Sequence, residues 1–405
     1  MEIDFTNLLI IVAIGFVAPM ILGFFPAVRL PAVVLLIVAG IIVGPAVFGW
    51  VEVDEPVRVL SILGLAFLLF LAGLEIDYTR LRGHIATEAV SGFVASFGLA
   101  LVVGLVLDSA GVVDDALLIA IILSATSLGV VVPVLRDSGR IDSDFGQLVI
   151  AAASIADFAT IILLTLFFSG ESPSVAGTLI LLGGFLGVVA LLGFAIAGTE
   201  RLGAVRRVFR HLHGTTAELR VRGAFALLVG LTALATELGL ELILGAFLAG
   251  SVLKLVDRES SAAREELMDK LDAVGYGVFI PVFFVTVGVG YDLGSLGDPA
   301  TLAQIPIFVV ALLVVRGLPA LLYRRSFSRR EVLVAGLLQA TSLPFIVTAT
   351  AIGTELGAIS GGTAAAFVAA GLVTVVVFPA TSLALLGGGR WGAHPRRGSA
   401  YSGGM

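Results

Sequence analysis

Thirteen runs of mostly apolar residues, each about as long as a bilayer core is thick, fill this chain and leave only short polar connections between them. A spanning helix needs roughly 20 such residues. In lipid, only structures that satisfy their own backbone hydrogen bonds persist. The runs fall at about 5–25, 30–49, 57–77, 86–107, 114–135, 145–168, 173–197, 219–237, 238–254, 274–291, 301–323, 330–352 and 361–387. Composition agrees, since 58% of the 405 residues are hydrophobic and 13% are charged, against about a quarter charged in soluble domains. The chain reads as an all-α integral membrane protein whose membrane domain occupies residues 1–390.

Whole function classes drop out at this point. With no cysteine there is no disulfide, zinc–thiolate site or iron–sulfur cluster. His84, His211, His213 and His394 all fall in polar connections, which removes the usual axial ligand of an intramembrane haem. No cofactor is expected. The net charge of −6 comes with no basic stretch interleaved with aromatics, so nucleic acid is not an expected partner. The first run follows an acidic start, "MEIDFTN", where a secretory signal wants a positive one, and reads as a retained helix.

Charge sets the expected orientation. With an odd number of spans, 22 of the 24 Lys and Arg collect in connections on one side; Arg58 lies opposite and Arg316 lies within a span. Positive residues gather on the cytoplasmic side, so the N-terminus is expected outside and the C-terminus in the cytoplasm of a cell (plasma or inner) membrane. The stretch "RLGAVRRVFRHLHG" (201–214) belongs to a linker, about 198–218, between two halves. Residues 391–405 read as a disordered cytoplasmic tail.

The tetrapeptide "ATSL" occurs twice, from Ala125 and from Ala340, 215 residues apart, with Pro133 and Pro344 behind it. The same offset aligns "LFLAGLEID" (69–77) with "FVTVGVGYD" (284–292), matching Gly73 to Gly288 and Asp77 to Asp292. An offset of 210 aligns "LIVAGIIVG" (36–44) with "AFLAGSVLK" (246–254). The matches keep their order, which points to a duplication of five helices, about 30–168 against 238–387. An odd number of spans separates the copies, so they run in opposite directions through the membrane, the inverted repeat of secondary transporters. Thr and Ser next to Pro make poor helix interior, and a break in lipid persists only where protein or an aqueous cavity covers it. The spacing therefore predicts two broken helices crossing near the membrane centre at Ala125–Leu128 with Pro133, and at Thr341, Ser342 and Pro344. Their half-helix ends and hydroxyls would face an ion.

Two charges stand where lipid should exclude them. Asp157, in "AAASIADFATIILL", lies about thirteen residues into the sixth run, roughly 20 Å of helix. A carboxylate at that depth costs on the order of 3 kcal/mol and marks a functional site. It is the candidate for binding proton and monovalent cation in turn. Ser154, on the same face, with Thr126 and Ser127, supplies further candidate ligands. Arg316, in "LLVVRGLPALL", is the candidate charge compensator, either for the negative ends of the half-helices or for Asp157 when no ion is bound.

Four phrases, "LPAVVLLIVAGIIVGP", "LFLAGLEIDYTRLR", "LGAFLAGSVL" and "MDKLDAVGYGVFIPVFFVTVGVGYDL", together resemble the monovalent cation:proton antiporter-2 family (Kef-type, sodium–proton exchanger-like membrane domains) through nearly all of residues 5–390. The resemblance implies a thirteen-helix homodimer with a dimerisation part and a moving core, crossed broken helices at spans 5 and 12, an ion-binding Asp on span 6 and a basic residue from span 11. Members often carry an acid or amide before that Asp, where this chain has Ala156, and a Glu near the second break, where it has Ser342. No attached nucleotide-binding domain is expected.

The expected function is exchange of Na⁺ or K⁺ for H⁺ by alternating access. One carboxylate that holds either one proton or one cation makes the exchange electroneutral. The alternative is a sodium-coupled organic-anion symporter of the same architecture, which a large aqueous cavity would favour. An intramembrane hydrolase fails, because no His or Lys lies in mid-span to serve a serine nucleophile and only one mid-span acid is evident. "GVGYDLG" (288–294) opens no soluble helix after a strand, so it is not a dinucleotide loop.

Overall fold

The computed structural model describes residues 4–24, 31–75, 83–168, 175–199, 218–256 and 261–386. The stretch 201–214, the tail 391–405 and Asp77 lie outside the described residues. Among the described residues all regular structure is helical. In chain order the helices are α1 (Thr6–Phe24), α2 (Ala32–Val43), α3 (Glu55–Glu75), α4 (Gly83–Ser109), α5 (Ala116–Ser124), α6 (Leu128–Asp137), α7 (Asp144–Phe168) and α8 (Val175–Thr199). They continue with α9 (Leu219–Glu237), α10 (Leu242–Val256), α11 (Ser261–Val274), a π-helical turn (Gly275–Phe279) and α12 (Ile280–Val289). After these come α13 (Pro299–Gly317), a 3₁₀ turn (Leu318–Arg325), α14 (Arg329–Gln339), α15 (Pro344–Glu355) and α16 (Gly361–Leu386).

Nine helical segments among the described residues are long and apolar enough to cross a bilayer, and four shorter apolar helices accompany them. They fall one to one on the thirteen predicted runs. The chain is a multi-pass membrane protein. Large apolar side chains cover its outside, as on α8, where Ile180 is 75% and Phe194 77% exposed; in lipid that surface is already solvated.

Local chemistry sets the ends. Asp115 caps α5 by accepting from the Leu117 and Leu118 amides, and Ser328 with Glu331 forms a capping box on α14. The short "TELGLE" turn does separate two helices, because Gly239 takes φ +69° and lets the Leu238, Gly239 and Leu240 amides close the end of α9.

One boundary differs from the sequence reading. The helix of the tenth span extends ahead of 274, since helical structure continues from Ala263 through the π-helical turn to Val289. Arg264 and Lys270, expected in a connection, sit on α11. That helix buries Leu267 and Leu271 on one face and is polar elsewhere, so a hydropathy reading passes over it.

The helices pack as two bodies. One contains α1, α2, α3, α8, α9, α10, α11 and α12; the other contains α4, α5, α6, α7, α13, α14, α15 and α16. Packing between them runs mainly through α7 against α8 and α10, and α3 against α6. Inside the first body two glycine contacts hold helices at backbone distance. A Cβ on Gly40 would strike the Val285 carbonyl and lie 2.9 Å from Gly288 Cα, and a Cβ on Gly250 would strike the Phe70 carbonyl while one on Gly73 would strike the Phe247 carbonyl. So α2 meets α12, and α3 meets α10, through small residues, the usual device for close helices in lipid. In the second body, Phe308 of α13 stacks on Phe367 of α16 with ring centroids 3.7 Å apart.

Candidate functional site

Both ATSL segments interrupt their helices. α5 stops at Ser124 and α6 starts at Leu128; α14 stops at Gln339 and α15 starts at Pro344. The two breaks touch, since the Ser127 amide donates to Thr341 O at 2.9 Å and Thr126 Oγ1 donates to Gln339 O at 2.7 Å. Ala125, Leu128, Thr341, Ser342 and Pro344 are thus at the crossing, where two helix N-termini and two C-termini bring partial charges of both signs together. Pro133 is not; it lies within α6, past the break.

Arg316 is buried to 1% exposure beside the crossing. Its Nε donates to Thr126 Oγ1 at 3.0 Å and to Gln339 O at 3.3 Å; Nη1 donates to Ser96 Oγ at 3.1 Å, and Nη2 reaches Thr126 Oγ1. Its guanidinium is bonded at the crossing and also acts electrostatically on Asp157. Its charge lies against the C-terminal end of α14, whose last carbonyls have no intrahelical partner. Among the described residues it forms no ion pair with Asp157.

The Thr126 hydroxyl donates once and accepts twice, from Nε and Nη2. In this structure that hydroxyl is taken up by the crossing, while Thr126 also lines the cavity described below. Ser154 is buried and returns its hydroxyl to Ile150 O at 2.9 Å, within its own helix, and it does not line the cavity described next. Sequence spacing placed it on the face of Asp157 but could not show which neighbour that face meets.

A cavity of about 60 Å³ lies where the two bodies meet. The crossing body contributes Thr126, Ser127, Asp157 and Thr348; the other contributes Leu68, Glu75, Phe247 and Tyr276. The Leu128 amide at the start of α6 acts on the Asp157 carboxylate, a favourable end of the helix dipole for an anion. Ser127 lines the same space. Asp157 and Ser127 therefore offer hard oxygen atoms to one small volume, which suits a small cation.

Sequence reasoning missed several members of this site. Glu75 was quoted within "LFLAGLEID" but stood two residues from a predicted span end. Ser96 and Gln339 carried no signal at all, since their importance rests on Arg316. Tyr276 enters through the π-helical turn at Gly275–Phe279, a feature that often marks functional positions.

Broken helices crossing beside a mid-membrane carboxylate, in a cavity between two helical bodies, define a membrane transporter. The chain belongs to the sodium/hydrogen exchanger family, whose transmembrane model matches residues 12–386. It is similar to YjbQ of Bacillus subtilis, 33% identical over 92% of this chain and 62% of that protein, so it spans less than two thirds of that relative's length. It is also similar to the Na(+)/H(+)-K(+) antiporter GerN of Bacillus cereus, 28% identical over 80% of this chain and 83% of GerN. In fold it matches the sodium proton antiporter MjNhaP1 from Methanocaldococcus jannaschii with a TM-score of 0.61 and 17% identity, over 93% of this chain and 96% of that one.

Proposed function

We propose that this protein exchanges a monovalent cation, Na⁺ or K⁺, for H⁺ by alternating access, with Asp157 holding proton and cation in turn. The observation that carries the reading is the position of Asp157 in a cavity lined by both bodies, beside the Ser127 hydroxyl and the start of α6. A relative displacement of the two bodies would open that cavity first to one side and then to the other. The names of its relatives, Na(+)/H(+)-K(+) antiporter among them, support the substrate class. The cavity is small, about 60 Å³. It leaves the organic-anion symporter without support.

Further parts of the reading are also proposals. The four phrases quoted above support placing the chain in the antiporter-2 branch, with its homodimer. Segregation of Lys and Arg supports an external N-terminus and a cytoplasmic C-terminus. Ordered sequence matches support inverted repeats at about 30–168 and 238–387. The exchanged pairing of their glycines, Gly40 with Gly288 and Gly250 with Gly73, supports the same relation.

The deciding experiment is proton flux in liposomes, driven in turn by Na⁺ and K⁺, for wild type and Asp157→Asn. The amide matches the carboxyl in volume, so the variant should fold and exchange neither cation. Cation-driven flux that persists in the variant would remove Asp157 from its role.

A further inference from the structure

Glu75 ends α3 and lines the same cavity as Asp157, yet the two carboxylates stand on different bodies. Among the described residues the Glu75 carboxylate forms no hydrogen bond and no ion pair. The charges that act on it are Asp272 of α11, Arg136 of α6 and Lys254 of α10. Tyr276 and Asp157 also interact with it. On α9, Arg220 is engaged with Ala263 O at 2.8 Å and Arg222 is exposed; α12 carries no ionisable side chain. Arg136 and Lys254 belong to the face on which the positive residues collect, so Glu75 lies between Asp157 and that face.

A carboxylate in this position can exchange a proton with Asp157, but it cannot travel with it. Any displacement that turns the cavity toward the opposite face separates α3 from α7, because Glu75 stays with its own body. We propose that Glu75 is a one-sided proton relay, which takes the proton from Asp157 and passes it to water on the arginine-rich face. The inference rests on the role given to Asp157 above.

The step balances without a further reactant. The Asp157 O–H bond breaks, its proton crosses one or two waters in the cavity, and a Glu75 O–H bond forms. Asp157 is left anionic and free to take the cation. Glu75 then loses its proton to the aqueous face and is ready again. Transfer through a water is within reach for such a pair, and the cavity has room for water. The relay predicts that a second acid at the site adds no second proton to the cargo, so exchange stays one for one.

Two measurements test this. In the first, purified full-length protein in weakly buffered detergent is titrated with Na⁺. Wild type and Glu75→Gln should each release one proton per chain, and Asp157→Asn none. Two protons from wild type and one from Glu75→Gln would make Glu75 part of the loaded site and overturn the relay. Release undiminished in Asp157→Asn overturns the role of Asp157 instead.

In the second, Na⁺-driven proton flux is followed in sidedness-sorted liposomes while pH is varied on one face at a time. Glu75→Gln should slow exchange roughly a hundredfold or more, in the range of a lost acid–base group, and shift the pH profile on the arginine-rich face alone. Glu75→Asp, which keeps a carboxylate on a shorter stem, should recover most of the rate. A Glu75→Gln profile that matches wild type on both faces refutes the proposal, as does an equal shift on both. Should Glu75→Gln fail to fold, Glu75→Asp carries the test, because a changed carboxylate must still move the profile on that one face only.

Discussion

Replacing Arg316 with alanine removes four hydrogen bonds to three buried acceptors, Thr126 Oγ1, Gln339 O and Ser96 Oγ. The acceptors do not all become orphans. Thr126 still donates to Gln339 O, and Ser96 still donates to Val315 O at 2.8 Å. What disappears is the only positive charge at the end of α14 among these contacts. Burying a guanidinium itself costs several kcal/mol, which offsets part of the loss, and removing one partner of a buried charged network costs about 3–5 kcal/mol net. With an unfolding entropy of about 2.1 cal/mol/K per residue, that range corresponds to a lowering of the midpoint by about 4–6 °C for a chain of 405 residues. The assay is thermal unfolding in detergent, run beside transport in liposomes. Arg316→Met separates charge from volume. It fills most of the space but offers no donor, so it should lose nearly as much stability as alanine. Arg316→Lys should recover about half, because a point charge lacks the planar fork that reaches three acceptors. A methionine variant within about 1 °C of wild type would show that Arg316 acts by filling space, and the charge argument would be wrong.

The two hydroxyls of the first break should behave differently. Thr126→Val cuts the bond to Gln339 and the acceptor used by Arg316, and should cost about 1–3 kcal/mol in unfolding measurements. Ser127→Ala should leave unfolding unchanged and weaken apparent cation affinity in flux assays; the reverse pattern would exchange their roles. On the opposite side of the structure, Glu241 sits in the turn before α10, where burial first, and the Glu355 carboxylate second, push its carboxyl up from 4.5 to about 7. The folded state then holds that proton more tightly than the unfolded state, so its contribution is complete below the unfolded value and is lost as pH rises through about 7. Glu241→Gln should match wild type at low pH and exceed it above neutrality by about 1–2 kcal/mol, allowing for partial solvent screening. Unfolding midpoints with the same pH dependence in both proteins would refute this.

Much of the molecule was legible in the chain because lipid makes structure local. A helix in a bilayer must satisfy its own backbone, so run length alone located the nine long and four shorter apolar helices among the described residues. The same condition made each break expensive enough to notice, and it made Asp157 and Arg316 conspicuous as charges in apolar runs. Even the pairing of the two ATSL segments could be read, since equal offsets in sequence need no coordinates.

What the tertiary structure decided were the contacts between residues that sequence order keeps far apart. Thr126 and Arg316, 190 positions apart, meet at 3.0 Å, and that meeting ties the Thr126 hydroxyl into the crossing. Ser154 shares a helix face with Asp157, but only packing shows that the cavity passes it by. Arg316 had two plausible partners in the sequence, and packing sets it 3.3 Å from the Gln339 carbonyl while it also acts electrostatically on Asp157. Glu75 looked like the end of a span until α3 was seen to line the cavity opposite Asp157. A hydroxyl's remaining capacity, a guanidinium's nearest acceptor and the body on which a carboxylate rides all depend on distances of a few ångströms between separate helices. Those distances are set by packing, and apolar periodicity along one chain does not encode them.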